Sequence, residues 1–374
     1  MLNGKKIIFA AGGTGGHINP ALAVAGEVRR QYPDAKILFI GTAEKMEARL
    51  VPAAGYDFKT IQISGFNRVL NLNGIKQNIK TLSHLLKSSS QAKKIIKEFA
   101  PDVVIGFGGY VSGPVVRAAA KLGIPTAIHE QNAFPGVTNK TLAKMVDAVM
   151  LTAEQAAQYM QPKNPVIVTG LPVRGELLEA DRDISRAELG LDEKPLILSM
   201  GGSLGAKAIN EAMLEVISNR WQANNCTFMH ATGKDCKDFP ERLAQNGVDL
   251  NAKNIIVRDY INDMHRCLAA ADLVICRAGA SSLSEFQALG KPSILIPYPF
   301  ATENHQFHNA KALADKGAAI VIEEKDLTSA KLMQQIDTLL ESPGKLDSMG
   351  RVAKSMAVTD AQARIVEVLG KIAK

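Results

Sequence analysis

The chain has 374 residues, 46% hydrophobic and 22% charged, with a formal net charge of +7. This composition excludes disordered and fibrous classes and supplies two globular cores, while the basic balance suits an anionic partner: nucleotide, nucleic acid or membrane surface. The start Met1-Leu2-Asn3-Gly4-Lys5-Lys6 enters a strand without a signal-peptide pattern and no apolar run approaches ~20 residues, so a cytosolic chain that does not span a membrane is expected.

The first predicted strand, Lys6–Ala10, runs into Ala11-Gly12-Gly13-Thr14-Gly15-Gly16-His17 and then a helical segment, Pro20–Gln31. Glycines let backbone N–H groups approach a ligand, and the helix start adds positive potential, so the turn suits phosphate. A dinucleotide fingerprint would need Gly or Ala at position 18, where Ile18 stands. His17 is placed either to accept a proton near neutral pH or to bond the loop backbone.

Further strands are expected at Lys36–Ile40, Phe58–Ile61, Val103–Ile105, Thr126–His129 and Ala148–Leu151, with helices at Ile75–Phe99, Gly113–Lys121 and Asn139–Lys144. From Ser64 to Lys97 the chain carries seven basic residues, Arg68, Lys76, Lys80, Lys87, Lys93, Lys94 and Lys97, and no acid. Ile75, Ile79, Leu82 and Leu86 share one helical face there. Most of that face reads as core, and the tip near Phe66 to Leu72 as a contact with anionic lipid. Nucleic acid fits less well, because aromatic residues for stacking are only 5% of the chain. His129-Glu130-Gln131-Asn132 ends a buried strand, where polar side chains must be bonded, solvated or used.

The domain boundary is expected between Gly170 and Lys194, giving domains 1–170 and 171–352, with a C-terminal helix over 353–374 returning to the first. Asp181-Arg182-Asp183 has the spacing of a metal–diphosphate site, but reads better as a solvated helix start. The second half repeats the alternation at Leu196–Ser199, Thr227–His230, Ile255–Arg258, Leu273–Cys276, Ser293–Ile296 and Ala319–Ile322. This pattern predicts an α/β fold of two parallel-sheet domains facing one another across a cleft. Met200-Gly201-Gly202-Ser203-Leu204-Gly205 repeats the first glycine turn without the lysine spacing of a Walker A loop. Asp272–Gly279 echoes Asp102–Gly109. In Arg277-Ala278-Gly279-Ala280-Ser281-Ser282-Leu283-Ser284-Glu285 the small residues and hydroxyls suit a phosphate; Glu285 is either a partner for a ribose diol or a capping acid. His305 and His308 lie one helical turn apart but lack a supporting ligand, so no metal is expected. Cys226, Cys236, Cys267 and Cys276 read as free thiols.

Taken together, Gly12–His17, Phe107-Gly108-Gly109-Tyr110-Val111-Ser112-Gly113-Pro114, His129–Asn132, Pro172-Val173-Arg174, Gly201–Ser203, Arg277–Glu285 and Gln306/Asn309 resemble, in order and over nearly the whole length, the MurG family of glycosyltransferases. The resemblance implies the GT-B architecture of two Rossmann-like domains. It implies inverting transfer of N-acetylglucosamine from UDP-GlcNAc to the muramoyl C4 hydroxyl of lipid I, giving lipid II, with no metal or other cofactor. By this similarity Thr14, Gly15, Gly16, Asn132, Arg174, Ser203, Ile261, Ala280, Ser281, Ser282, Leu283, Ser284, Glu285 and Gln306 bind the donor. Ile261 would meet uracil through its backbone, Glu285 the ribose and Gln306 the sugar. His17 becomes the candidate base, and Gly108, Gly109, Tyr110 and Ser112 hold the acceptor diphosphate. The implied setting is the cytoplasmic face of the bacterial inner membrane, with other cell-wall proteins as possible partners. Leu171 and Leu204 depart from the family pattern, where Asn and Gln are usual. Two other functions share the plan: a UDP-GlcNAc 2-epimerase and a non-catalytic nucleotide-sugar sensor.

Overall fold

The computed structural model describes residues 1–63, 87–202 and 204–374. Ser203, the segment from Phe66 to Leu72 and the apolar positions Ile75, Ile79, Leu82 and Leu86 lie outside the described residues. Two compact units emerge, one of Met1–Pro172 with Asp360–Lys374 and one of Val173–Thr359.

The first unit is a seven-stranded sheet: β1 (Lys6–Ala10), β2 (Lys36–Gly41), β3 (Asp57–Thr60), β4 (Val103–Gly106), β5 (Thr126–Glu130), β6 (Ala148–Leu151) and β7 (Ile167–Val168). The order is β3-β2-β1-β4-β5-β6-β7 and every pairing is parallel. Both faces are covered. Ile7 and Phe9 pack on α1 (Gly15–Gln31) and α15 (Ala361–Ile372), whereas Ile8 and Ala10 face α4 (Gly109–Lys121) and the helix over 87–99, α3. Continuous apolar strands follow from this two-sided burial. Phe9 stacks between Phe39 and Phe107, with ring centroids 5.1 and 6.1 Å apart.

The second unit has six parallel strands: β8 (Leu196–Met200), β9 (Thr227–Ala231), β10 (Ile255–Arg258), β11 (Leu273–Cys276), β12 (Ser293–Leu295) and β13 (Ala319–Val321). Their order is β10-β9-β8-β11-β12-β13. Ile197, Leu273 and Ile275 face α8 (Lys207–Arg220) and α13 (Ser329–Leu340), while Leu198, Val274 and Cys276 face α10 (Met264–Ala270) and α11 (Ala280–Leu289). In each sheet the chain reverses its direction of growth beside the first strand, between β1 and β4 and between β8 and β11. Ligands of open α/β sheets bind at such switch points, off the carboxyl ends of the strands.

The echo between the two halves has a structural counterpart. Asp102 accepts the Lys6 N–H at 2.8 Å where β1 begins, and Asp272 accepts the Leu196 N–H at 2.8 Å where β8 begins. Asp272 also takes Arg182 and Arg186. Asp181 is a helix cap: its carboxylate accepts the Asp183 and Ile184 amides, both at 2.9 Å.

The C-terminal region is two helices rather than one. α14 (Pro343–Ser355) stays with the second unit, where Ala353 is buried in the core and Lys354 bonds the Ala288 carbonyl. Residues 353–359 therefore do not join the first unit, and only α15 lies on α1. Its Ile365, Val368 and Leu369 are buried, each stabilising the unit by about 1.5–3 kcal/mol relative to exposure. Helices α1 and α4 start at Gly15 and Gly109, earlier than Pro20 and Gly113, because their glycine-rich first turns read as loop. Among the described residues no helix is long and apolar enough to cross a membrane, and the cysteines are free.

Candidate functional site

In the first unit two glycine turns meet at the β1/β4 switch point. Gly12 sits so close to Gly109 that a Cβ on Gly109 would lie 2.3 Å from the Gly12 carbonyl oxygen. Gly108 and Gly109 have φ of 96° and 77°, which a side chain disfavours. His17 lies over this junction, its imidazole edge about where a Gly108 Cβ would stand, with Cδ2 2.9 Å and Nε2 3.0 Å away. Its Nδ1 is 3.1 Å from the Gly12 carbonyl and 3.3 Å from the Thr14 hydroxyl. A carbonyl only accepts, so the Gly12 contact puts the proton on Nδ1 and the lone pair on Nε2.

Not every amide of the turn is available to a ligand. Gly13 N–H donates to Glu47 at 3.1 Å, and the His17 and Ile18 amides return to the Thr14 carbonyl. The amides of Gly15 and Gly16, in the first turn of α1, have no carbonyl to meet inside the helix.

Ser112, expected on the acceptor, is fully buried. Its hydroxyl accepts the Gly108 N–H at 3.0 Å and lies 2.8 Å from the Ala10 and Gly108 carbonyls, so it braces the turn from behind. Tyr110 is exposed and stands beside the turn.

The polar run His129–Asn132, which ends β5 and enters the following loop, is mostly consumed inside the unit. Burial pushes His129 down to about 4, so it is neutral, and its Nε2 donates to the Gly170 carbonyl at 2.8 Å. Gln131 donates to His129 Nδ1 at 3.1 Å. Burial raises the Glu130 carboxyl against four donations, two from Asn132 and one each from Gly136 and Asn139. Of this run Asn132 keeps partial exposure.

In the second unit the turn after β8 closes on the turn after β9. A Cβ on Gly205 would meet the Thr232 carbonyl at 2.2 Å. The buried Asn210 amide also donates to that carbonyl at 2.8 Å. Gly202, with φ 93°, is exposed, and Leu204 is 67% exposed, so the departure at Leu204 takes nothing from the core. Leu171, the other departure, belongs to the first unit and is buried.

After β11, Gly279 caps α11 and the Ala280, Ser281 and Ser282 amides form its open first turn. Leu283 and Ser284 are buried, leaving only their backbone for a ligand. Glu285 follows in the second turn and takes the Arg174 guanidinium, Nε at 3.0 Å and a terminal nitrogen at 2.9 Å. Burial pushes the Glu285 carboxyl up, and Arg174 pulls it back. The loop is held by its neighbours: Gln306 Oε1 accepts the Ala278 and Tyr298 amides, and Asn309 donates to the Ala278 carbonyl. Arg277 donates to the Ile296 and Pro297 carbonyls and pairs with Glu324. Ile261 is a core side chain, so only its main chain is open to a ligand.

None of α1, α4, α8 and α11 carries an acid in its own first turn, so each offers its positive end to a phosphate, although at α1 the buried Glu47 already takes the Gly13 amide. The structure thus gathers His17 with Gly108 and Gly109 in one unit, and Arg174 with Glu285 and the α11 start in the other. Glu47 escaped the sequence reading: an acid opening a helix reads as a partner for the helix dipole. Only the tertiary fold shows it beneath the glycine turn.

Residues 7–151 match the glycosyltransferase family 28 N-terminal domain and residues 196–365 the family 28 C-terminal domain. The chain is 45% identical over 370 residues to the UDP-N-acetylglucosamine–N-acetylmuramyl-(pentapeptide) pyrophosphoryl-undecaprenol N-acetylglucosamine transferase of Acetivibrio thermocellus, covering 99% of this chain and 98% of that one. It is 43% identical over 371 residues to an enzyme of the same name from Bacillus cereus, covering 99% and 100%. The crystal structure of Acinetobacter baumannii MurG superposes with a TM-score of 0.81 at 32% identity, covering 98% of this chain and 99% of that one. A Neisseria meningitidis UDP-GlcNAc 2-epimerase shares the fold, with a TM-score of 0.66 at 15% identity and coverage of 98% and 100%.

Proposed function

The chain belongs to glycosyltransferase family 28, in its MurG branch with the GT-B fold, and on that premise we propose that it transfers N-acetylglucosamine from UDP-GlcNAc to the muramoyl C4 hydroxyl of lipid I. The observation that carries the chemistry is the α11 start: an open helix N-terminus with Glu285 one turn further on, held by Arg174. A uridine diphosphate matches it, phosphate on the amides of Ala280, Ser281 and Ser282 and ribose diol on the carboxylate. The α8 start, reached through the Gly201–Gly205 turn, offers a second set of amides. Helix ends and Arg174 stabilise the charge that develops on the departing diphosphate. Gln306 is assigned to the sugar and the Ile261 backbone to uracil.

In the first unit, His17 Nε2 is the base that takes the proton of the attacking hydroxyl. Thr14, Gly15, Gly16 and Asn132 complete the donor contacts, and Gly108, Gly109 and Tyr110 hold the acceptor diphosphate. One displacement inverts the anomeric centre: the acceptor oxygen bonds to C1 while the bond from C1 to the diphosphate oxygen breaks. The exposed Lys87, Lys93, Lys94 and Lys97 on α3 support a basic approach to anionic lipid at the cytoplasmic membrane face. The assignment places the protein in cell-wall synthesis, and through it in cell shape and division.

The test is transfer of labelled N-acetylglucosamine to a lipid I analogue in buffer containing EDTA. Disaccharide product is expected. With UDP-GlcNAc alone the sugar should keep its configuration; conversion to the manno epimer would instead favour epimerase chemistry, and loss of transfer in EDTA would require a metal. Within this reading, Glu285→Ala should raise the donor KM about 10-fold or more, the equivalent of a hydrogen bond to a charged group, with a smaller change in kcat. An unchanged donor KM removes the ribose role.

A further inference from the structure

Glu47 is fully buried on α2 (Glu47–Ala53), directly beneath the first glycine turn. Its Oε1 accepts the Thr42 amide at 3.0 Å and the Thr42 hydroxyl at 2.7 Å, and its Oε2 accepts the Gly13 amide at 3.1 Å. Two glycines make room for it. A Cβ on Gly12 would lie 2.6 Å from its Oε1, and one on Gly41 would lie 2.6 Å from its Cγ.

The Gly13 N–H and the Gly12 C=O are two ends of one planar peptide group. The N–H end meets Glu47; the C=O end meets His17 Nδ1 at 3.1 Å. A carboxylate drawing on the N–H polarises the amide and makes its carbonyl a stronger acceptor. That carbonyl then holds the Nδ1 proton, favours the imidazolium, and aims Nε2 over Gly108. The other titratable groups on the neighbouring β5 loop are engaged elsewhere: His129 with Gly170 and Gln131, Glu130 with Asn132, Gly136 and Asn139.

We propose that Glu47 is a positioning residue for the reaction, acting on His17 through the Gly12–Gly13 peptide as a carboxylate–peptide–imidazole relay. Its consequence for turnover rests on the assignment of His17 as base; its effect on the imidazole does not. The first measurement needs no variant. Nitrogen-15 spectra of the wild-type histidines, with His17 assigned by its loss in His17→Ala, should show the neutral ring protonated on Nδ1. A ring protonated on Nε2 overturns the relay.

The second measurement is the His17 titration in Glu47→Gln, which removes the charge and keeps the size. The His17 midpoint should fall by about half a pH unit, since the imidazolium loses a favourable partner. The acid limb of kcat should move to lower pH by the same amount. The plateau kcat should drop about tenfold with donor KM within about twofold, part of the 10²–10⁴ available to general base catalysis. An unmoved His17 titration in folded Glu47→Gln overturns the proposal. Because the titration is read without turnover, full activity of His17→Ala would remove the base assignment and leave the relay to be judged on the spectra alone.

Discussion

His17→Ala should lower kcat by about 10²-fold or more and leave the donor KM within about threefold. General base catalysis contributes roughly 10²–10⁴ when the base lies within reach of the proton it removes. The proposed reading gives His17 this role on the strength of its place over the Gly108–Gly109 turn. Its Nδ1 is committed to the Gly12 carbonyl, so Nε2 is the nitrogen that takes a proton. Donor recognition rests mainly on other groups in this account, the α11 start and Glu285 in the second unit, with Thr14, Gly15, Gly16 and Asn132 adding to it from the first. Steady-state kinetics across pH check the point. The acid limb of kcat should vanish with the imidazole, while uridine diphosphate binds as before. Equal losses in kcat and donor affinity would make His17 a binding residue.

Gly109→Ala should be nearly as damaging, and for a steric reason. The new methyl would lie 2.3 Å from the Gly12 carbonyl oxygen and 3.1 Å from its carbon, both main-chain atoms that cannot rotate aside. The φ of 77° adds the left-handed penalty of about 1–2 kcal/mol for a residue with a Cβ. Gly4→Ala separates the two costs. Gly4 has φ 67° and nothing within 4 Å of its would-be Cβ, so it carries the backbone penalty alone. The denaturation midpoint of Gly109→Ala should therefore fall well below that of Gly4→Ala. Because the displaced Gly12 carbonyl is also the acceptor for His17, kcat should fall by about 10²-fold in Gly109→Ala and stay near wild type in Gly4→Ala. Matching midpoints and matching activities in the two variants would mean that the turns do not pack as described.

The alternation of apolar runs with helical segments made the two parallel sheets legible, because buried parallel strands such as Ile7–Ala10 are apolar without a break and Leu196–Met200 is interrupted only by Ser199. The glycine turns were legible as turns between a strand and a helix, but their helices were read too short. Glycine is a poor helix former, so the first turns of α1 and α4 looked like loop although they carry the open amides. Glu47 went unnoticed and Ser112 was assigned to the acceptor because the contacts they make exist only in three dimensions. One braces a turn from the start of α2, and the other fills its own turn from behind. β7, two exposed residues at the sheet edge, has no periodicity to detect. The pairing of Arg174 with Glu285 joins residues far apart in the chain, and neither side chain announces the other. The break at residues 356–360 was hidden because the apolar spacing of Ile365, Val368 and Leu369 says where a helix buries a face, and says less about where it starts.

The central claim is that the second unit seats the nucleotide at the α11 start. A crystal structure of the protein with UDP-GlcNAc bound tests it most directly. Diphosphate oxygens should lie within hydrogen-bond distance of the Ala280–Ser282 amides, with the ribose hydroxyls on Glu285. A nucleotide bound elsewhere, with Glu285 meeting only Arg174, would contradict it.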